Sequence, residues 1–586
     1  MSRFFEPSFR WHAAVFWVVA GLLLVAAPSR AGELRVRIEG LEGELLENAR
    51  AYLSIEQSRD LPDLTELRVR ALHRRADKEI RQALQPFGFY QPTVEATLSS
   101  TGQGWEALYR VDPGPPLPVT RLDVRILGAG AGDEAFVEAR KRLPMAEGRR
   151  LVHADYEKAK QRLQRLAAER GYFDATFTVH EIAIDLERYE ASIQLHLDTG
   201  ERYRFGATRF RQQALDEALL RRFLPYQEGE PFDANALLDL QGALLDSDYF
   251  TDVRVAARPE EAVDLRVPVD VELTPVLPHR YSFGVGYGTD TGARASAGWA
   301  WRRINPAGHR FESELAVSEI RNSVTAAYSI PIRNPRTDRL VFSAEHAEEE
   351  TDTSYSRLTT LGAAIERVKR AWRQTWSLEL QREVSEVAGV RQTTNLILPG
   401  TVWQQVWADD RLDVRNGHRL LIDLHGGSET LGSDISFLQL RLAGKHIFTL
   451  WEPARLIGRW ELGHTVGADV AELPATQRFF AGGDQSVRGY KYQSLGPTDA
   501  SGEVIGGISL AVASVEYEHR FGKRWSGALF YDAGYAFDDP GEPVARGVGF
   551  GFRWRTVIGL LRLDLAQALD LESEPWRLHL TIGPDL

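Results

Sequence analysis

The chain has 586 residues, too many for one ordinary domain, with no cysteine and a net charge of −12. This excludes a disulfide framework, a thiolate metal site and a cysteine nucleophile, and it disfavours nucleic acid, for which there is no basic stripe. Aromatics (14 Trp, 18 Tyr, 26 Phe) and 50 glycines accompany a mean hydropathy of −0.29. That balance is odd for a helical membrane protein and natural for a barrel with one apolar and one wet face.

The chain starts with Arg3 and Arg10, then an apolar run over 13–27 and Pro28-Ser-Arg-Ala31. A positive start, an apolar stretch of that length and small residues at Ser29 and Ala31 predict a signal peptide over 1–31. The alternative is a single anchor helix, which needs about 20 apolar residues. No later stretch is long enough to span a bilayer as a helix, so any further membrane crossing must be made by strands.

Between residues 33 and 275 one pattern recurs three times. Phe87-Gly88-Phe89-Tyr90, Gly171-Tyr172-Phe173 and Asp248-Tyr249-Phe250 each end a helical pattern and precede two alternating segments. A strand-like stretch opens each copy, at Leu34–Gly40, Arg121–Gly128 and Tyr203–Phe210. In the second copy Tyr156, Ala159, Leu163, Leu166 and Ala167 recur at helical spacing, and Gly171 suits a left-handed cap. Strand, helix, helix, strand, strand in about 80 residues predicts a small α+β module with a three-stranded sheet. The pattern resembles the POTRA domain, and the resemblance implies a sheet edge that receives extended polypeptides by strand addition. The aromatics themselves read as helix-on-sheet packing.

From Tyr281 the helical period stops. Tyr281, Phe283, Val285 and Tyr287 alternate with Ser282, Gly284, Gly286 and Gly288, and about sixteen such segments follow, separated by polar turns such as Asn305-Pro-Ala-Gly308. A soluble sandwich is the alternative. The leader, tryptophans near segment ends (Trp299, Trp301, Trp403, Trp407, Trp525, Trp554) and an even count favour a closed barrel, which satisfies backbone polar groups in lipid.

One loop stands apart: Arg478-Phe-Phe-Ala-Gly-Gly-Asp-Gln-Ser-Val-Arg-Gly-Tyr490. Adjacent phenylalanines and an arginine beside glycine predict a segment packed inside the barrel, where Gly483 and Gly489 allow close backbone approach. An arginine carried inside must meet acceptors, and its planar fork suits carboxylates. Val487-Arg488-Gly489-Tyr490, with Val515-Glu516-Tyr517 and Phe530-Tyr-Asp532-Ala-Gly534, resembles the signature of the BamA/TamA outer-membrane assembly superfamily. In that family the loop folds into the lumen and its arginine meets acids of the inner wall. The resemblance implies Glu516 and Asp532 as those acids here, and their spacing suits one hairpin bringing them side by side.

The resemblance implies α+β modules followed by an all-β region: three POTRA domains over 33–115, 117–201 and 202–276, then a 16-stranded antiparallel transmembrane β-barrel over 280–586, with loop 464–505 folded inward. Three modules and the ending Leu580–Leu586 resemble the TamA branch. The implied role is non-enzymatic: inserting autotransporters and other outer-membrane proteins with a TamB-like inner-membrane-anchored partner, without a cofactor or metal. Its partners would be unfolded outer-membrane clients and outer-membrane lipid. The family's route implies a weak seam between first and last strands. Gly284, Gly286, Gly288, Gly583 and Pro584 would weaken pairing there, or the glycines relieve crowding in a tight barrel. A two-partner-type secretion pore for a soluble exoprotein and phospholipid transfer with a TamB-like bridge are the other readings. Gly-x-Ser-x-Gly, a phosphate loop and a His-rich metal spacing are absent from the sequence.

Overall fold

The computed structural model describes residues 33–61, 64–101, 104–410, 413–556, 559–573 and 575–583. The expected signal peptide over 1–31 and Pro584 of the expected seam lie outside the described residues. The chain divides into two compact units between Tyr203 and Arg204.

The first unit holds two modules. One runs β1 (Glu33–Glu39), α1 (Gly43–Tyr52), α2 (Ser54–Gln57), α3 (Glu66–Leu84), β2 (Thr93–Thr101) and β3 (Gly104–Asp112). The other runs β4 (Val119–Leu127), α4 (Glu134–Lys141), α5 (His153–Glu169), β5 (Thr176–Asp185) and β6 (Glu190–Asp198). In each the last strand is inserted between the first, which it meets in parallel, and the second, which it meets antiparallel. Amphipathic spacing explains the packing. Tyr156, Ala159, Leu163 and Ala167 of α5 are buried with Ala191, Ile193, Leu195 and Leu197 of β6, and Leu166 is half-buried at the margin. Gly171 follows α5 at φ +83°, and Tyr172 packs edge-on against Phe136 while its hydroxyl donates to Asp133, the N-cap of α4.

The second unit opens with a third module: β7 (Arg204–Arg211), α6 (Glu217–Arg221), α7 (Ala234–Leu245), β8 (Phe250–Ala257) and β9 (Arg266–Pro275), with the same sheet order. Asp248 takes the place of the glycine seen in the other copies and still adopts φ +61°. Its carboxylate lies 3.7 Å from both Arg280 and Arg302.

The rest of this unit is a 16-stranded antiparallel sheet in sequential order, from His279–Gly288 to Trp576–Gly583. Tyr281, Phe283, Val285 and Tyr287 of the first strand all point outward, with Val285 92% exposed. By register Trp299, Trp301 and Phe311 share that face at the end nearest the third module, where Trp299 stacks on Trp301 and meets Phe311 edge-on. Trp525 and Trp554 pair in the same way across the thirteenth and fourteenth strands. Among the described residues the ladder does not continue from last strand to first. They meet where Thr289 N donates to Leu580 O (3.2 Å), Leu580 N to Thr289 Oγ1 (3.2 Å) and Arg294 to Ile582 O (3.0 Å).

Candidate functional site

The eleventh strand (Ala454–Val466) and the twelfth (Ser509–Arg520) are joined by a long connection that turns back into the lumen. It is held in shape by reciprocal backbone hydrogen bonds between Phe479 and Gly507 and between Ala481 and Leu495. Phe479, Ala481, Val487 and Tyr490 are buried with Leu510, Val512 and Ala536 of the barrel wall. The alternating sets Leu510/Val512/Ser514 and Ile457/Arg459/Glu461 therefore look inward, unlike the Tyr281 series.

Arg488 sits at the centre, 5% exposed. Its Nε and Nη2 donate to the two carboxylate oxygens of Asp532 (2.7 and 3.0 Å), and its backbone amide donates to Asp532 as well (3.1 Å). Nη1 donates to Glu516 (2.7 Å) and to Asp564 (3.1 Å), and the guanidinium carbon lies 3.4 Å from the centre of the Phe530 ring. Glu516 and Asp532 do share the inner face of one hairpin, but they are diagonal neighbours. Ser514 stands opposite Asp532, Phe530 stands opposite Glu516, and Ser514 Oγ donates to Asp532 (2.6 Å).

Two arginines that sequence reasoning did not single out complete the charge balance. Arg553 on the fourteenth strand donates to Glu516 (2.8 Å) and Asp564 (2.5 Å). Arg459 on the eleventh strand donates to the loop carbonyls of Ser486 (2.7 Å) and Asp484 (3.4 Å). Three guanidiniums thus gather with three carboxylates, which removes the net charge that would otherwise be costly to bury. Asp564 and His579 were also missed. Each is the sole ionisable inward residue in a short apolar stretch, Leu563-Asp-Leu565 and Leu578-His-Leu580. That pattern was the available signal.

The glycines of the motif are placed by contact. Gly489 has φ +99°, and a Cβ there would lie 2.8 Å from Ala568 N of the fifteenth strand. Its amide donates to His579 Nε2 (3.0 Å). Gly483, at φ +105°, lies against Asp290 in the turn after the first strand, 2.5 Å from where a Cβ would stand. Tyr490 hydroxyl reaches Arg546 O and Asp570 (3.3 Å each). Gly534 is opposite Val512, and a Cβ there would stand 2.8 Å from Val512 Cα. Gly284, Gly286 and Gly288 lie on the inner side of the first strand, against Ser296, Arg294 and Thr291; Gly583 ends the last strand.

Residues 304–584 match the Omp85 superfamily domain, 35–113 match "POTRA domain TamA domain 1", and 123–200 match a family described as "Surface antigen variable number repeat". Together these matches support a place for the chain in the BamA/TamA outer-membrane assembly superfamily. It is 25% identical over 402 residues to the outer membrane protein assembly factor BamA of Nitratidesulfovibrio vulgaris, covering 64% of this chain and 50% of that one. The chain spans about half the length of that curated relative. Its fold is like that of BamA from Haemophilus ducreyi lacking POTRA domains 1–3: TM-score 0.67, 17% identity, 80% of this chain and 99% of that one. CdiB from Acinetobacter baumannii gives a TM-score of 0.47 at 14% identity, over 80% and 90% of the two chains. These matches support a barrel in the outer membrane with the N-terminal modules in the periplasm.

Proposed function

We propose that the protein is a TamA-type assembly factor that promotes insertion of outer-membrane proteins, autotransporters among them. In this reading the periplasmic modules receive the unfolded client and the barrel releases it sideways between its first and last strands. The observation that carries the reading is the interrupted ladder. Among the described residues, fifteen junctions of the barrel are laddered antiparallel pairings, whereas the sixteenth is bridged only by Thr289 with Leu580 and by Arg294 with Ile582 O. Unpaired strand edges are templates for another chain, and an edge facing lipid is tolerable only if it is short or intermittently covered.

The match of the first module to TamA domain 1 supports the TamA branch, and a TamB-like inner-membrane-anchored protein is the partner that branch implies. Each module sheet leaves its first and second strands as edges, which supports capture by strand addition without sequence-specific side-chain pockets. No catalytic step is assigned: Glu516, Asp532 and Asp564 are committed to arginines.

The test uses the absence of native cysteine. The double variant Thr289→Cys/Leu580→Cys, in vesicles with an unfolded autotransporter, is expected to stop client insertion when oxidised and to regain it on reduction. Full insertion by the oxidised form would sink the seam reading.

A further inference from the structure

The lumen loop touches both sides of the interrupted ladder. On the first-strand side, Asp290 accepts the backbone amide of Asp484 at 2.5 Å, which brings the two carboxyl groups close together. On the last-strand side, Gly489 N donates to His579 Nε2, one residue from Leu580, and Arg488 reaches Asp564 of the fifteenth strand. The loop therefore spans the gap where backbone pairing does not.

The acid pair has a further peculiarity. Asp290 Oδ1 is buried and receives no hydrogen bond among the described residues. A carboxylate oxygen buried without a donor is costly, and the neighbouring Asp484 supplies a donor only if it carries a proton. We propose that this loop is a clasp across the seam, and that a proton on Asp484, donated to Asp290, closes its first-strand half. The inference rests on the seam as the working part of the barrel and names what regulates it.

The surroundings set the direction of the response. Asp484 lines a small cavity of about 60 Å³ whose other charged or titratable groups are Arg459, Arg488, Lys445, Arg562, Glu516, Asp564 and His579. Tyr492 of the same loop packs on Gly483. Burial first, then the charge of Asp290, hold the Asp484 carboxyl up at about 7, although Arg459 opposes this. The docked loop therefore binds a proton more tightly than a free loop. Docking is strongest in acid, weakens as pH rises from about 4 to about 7, and is flat above that.

Spin labels at Val285→Cys and Leu578→Cys, both outward-facing, report the gap in the full-length protein in vesicles. At about pH 5.5 the label distance should be short and narrow, and at about pH 8.5 longer and broader. Asp484→Asn keeps an N–H for Asp290 and cannot ionise, so it should stay short at both. Asp290→Ala removes the partner and should stay long at both. A wild-type distance that ignores pH overturns the proposal, and so does an Asp484→Asn variant that keeps the wild-type response. If a variant fails to fold, the wild-type response decides alone. The oxidised Thr289/Leu580 pair reads the seam separately: if insertion survives that lock, the seam reading fails while the label distances still judge the clasp.

Discussion

Arg488 holds Asp532 through three nitrogens, two of the guanidinium and its own backbone amide, and Asp532 has no exposed surface. Side chain and main chain of the loop are thus fixed to one carboxylate. Arg488→Ala would leave that carboxylate buried with Ser514 and no adjacent paired guanidinium, a change that costs about 3–5 kcal/mol. The expected outcome is an undocked loop, seen as new protease cleavage within 467–508 while the barrel keeps its heat-modifiable mobility. A loop that stays protected would show that Phe479, Val487 and Tyr490 hold it without the charge.

The network should be unequal among its acids. Asp564 shares Arg488 and Arg553 with Glu516, whereas Asp532 takes most of the Arg488 fork. Asp564→Asn should therefore loosen the loop less than Asp532→Asn. A double-mutant cycle of Arg488→Gln with Asp532→Asn should give a coupling of about 0.5–3 kcal/mol, measured by denaturant unfolding in detergent. Additive single effects would mean that the hydrogen bonds seen here contribute no joint stability.

The chain announced its architecture where one physical rule acted alone. Period-two alternation located the barrel strands, and helical spacing in α5 marked a buried face that the structure fills. Arg488, Glu516 and Asp532 were legible through the resemblance carried by Val487–Tyr490 and its strand partners, and the need of a buried guanidinium for acids supported the pairing. Asp564, Arg553, Arg459 and His579 were not legible in the same way. Which wall residues face one loop depends on barrel closure and strand stagger, which no local pattern encodes. Asp290 was further out of reach. It lies in a turn, and its meeting with Asp484 joins positions almost two hundred residues apart. Asp248 shows the limit of reading repeats through glycine, since a short polar residue took the same left-handed conformation.

Gly489→Ala should be destabilising on two independent counts: a backbone angle of +99°, and a methyl carbon placed 2.8 Å from Ala568 N. The first alone costs about 1 kcal/mol or more, and the second requires the fifteenth strand to yield. Gly496→Ala is the matched control in the same loop, since a Cβ there meets its nearest neighbours at 3.4 Å. Loop protection against protease should fall for Gly489→Ala and hold for Gly496→Ala. Equal behaviour would refute close approach as the reason for the glycine.

The third module is pinned to the barrel through Tyr249. Its hydroxyl donates to Gly308 O (2.5 Å), the Arg310 guanidinium lies 4.0 Å from its ring centre, and Arg310 also donates to Ser247 O. Asp216 N to Pro306 O (2.8 Å) and Arg222 to Pro331 O (3.3 Å) add weaker ties. Tyr249→Phe keeps the ring and the cation contact and loses one neutral hydrogen bond, about 0.5–1.5 kcal/mol. Tyr249→Ala also empties a buried aromatic site, about 3–5 kcal/mol. Hydrogen exchange in the turn over 302–309 should rise slightly in the first variant and strongly in the second, with the lumen loop unaffected in both. If the alanine variant protects that turn as well as wild type does, the module is held by Asp216 and Arg222, and the aromatic of the repeat motif serves only its own module's core.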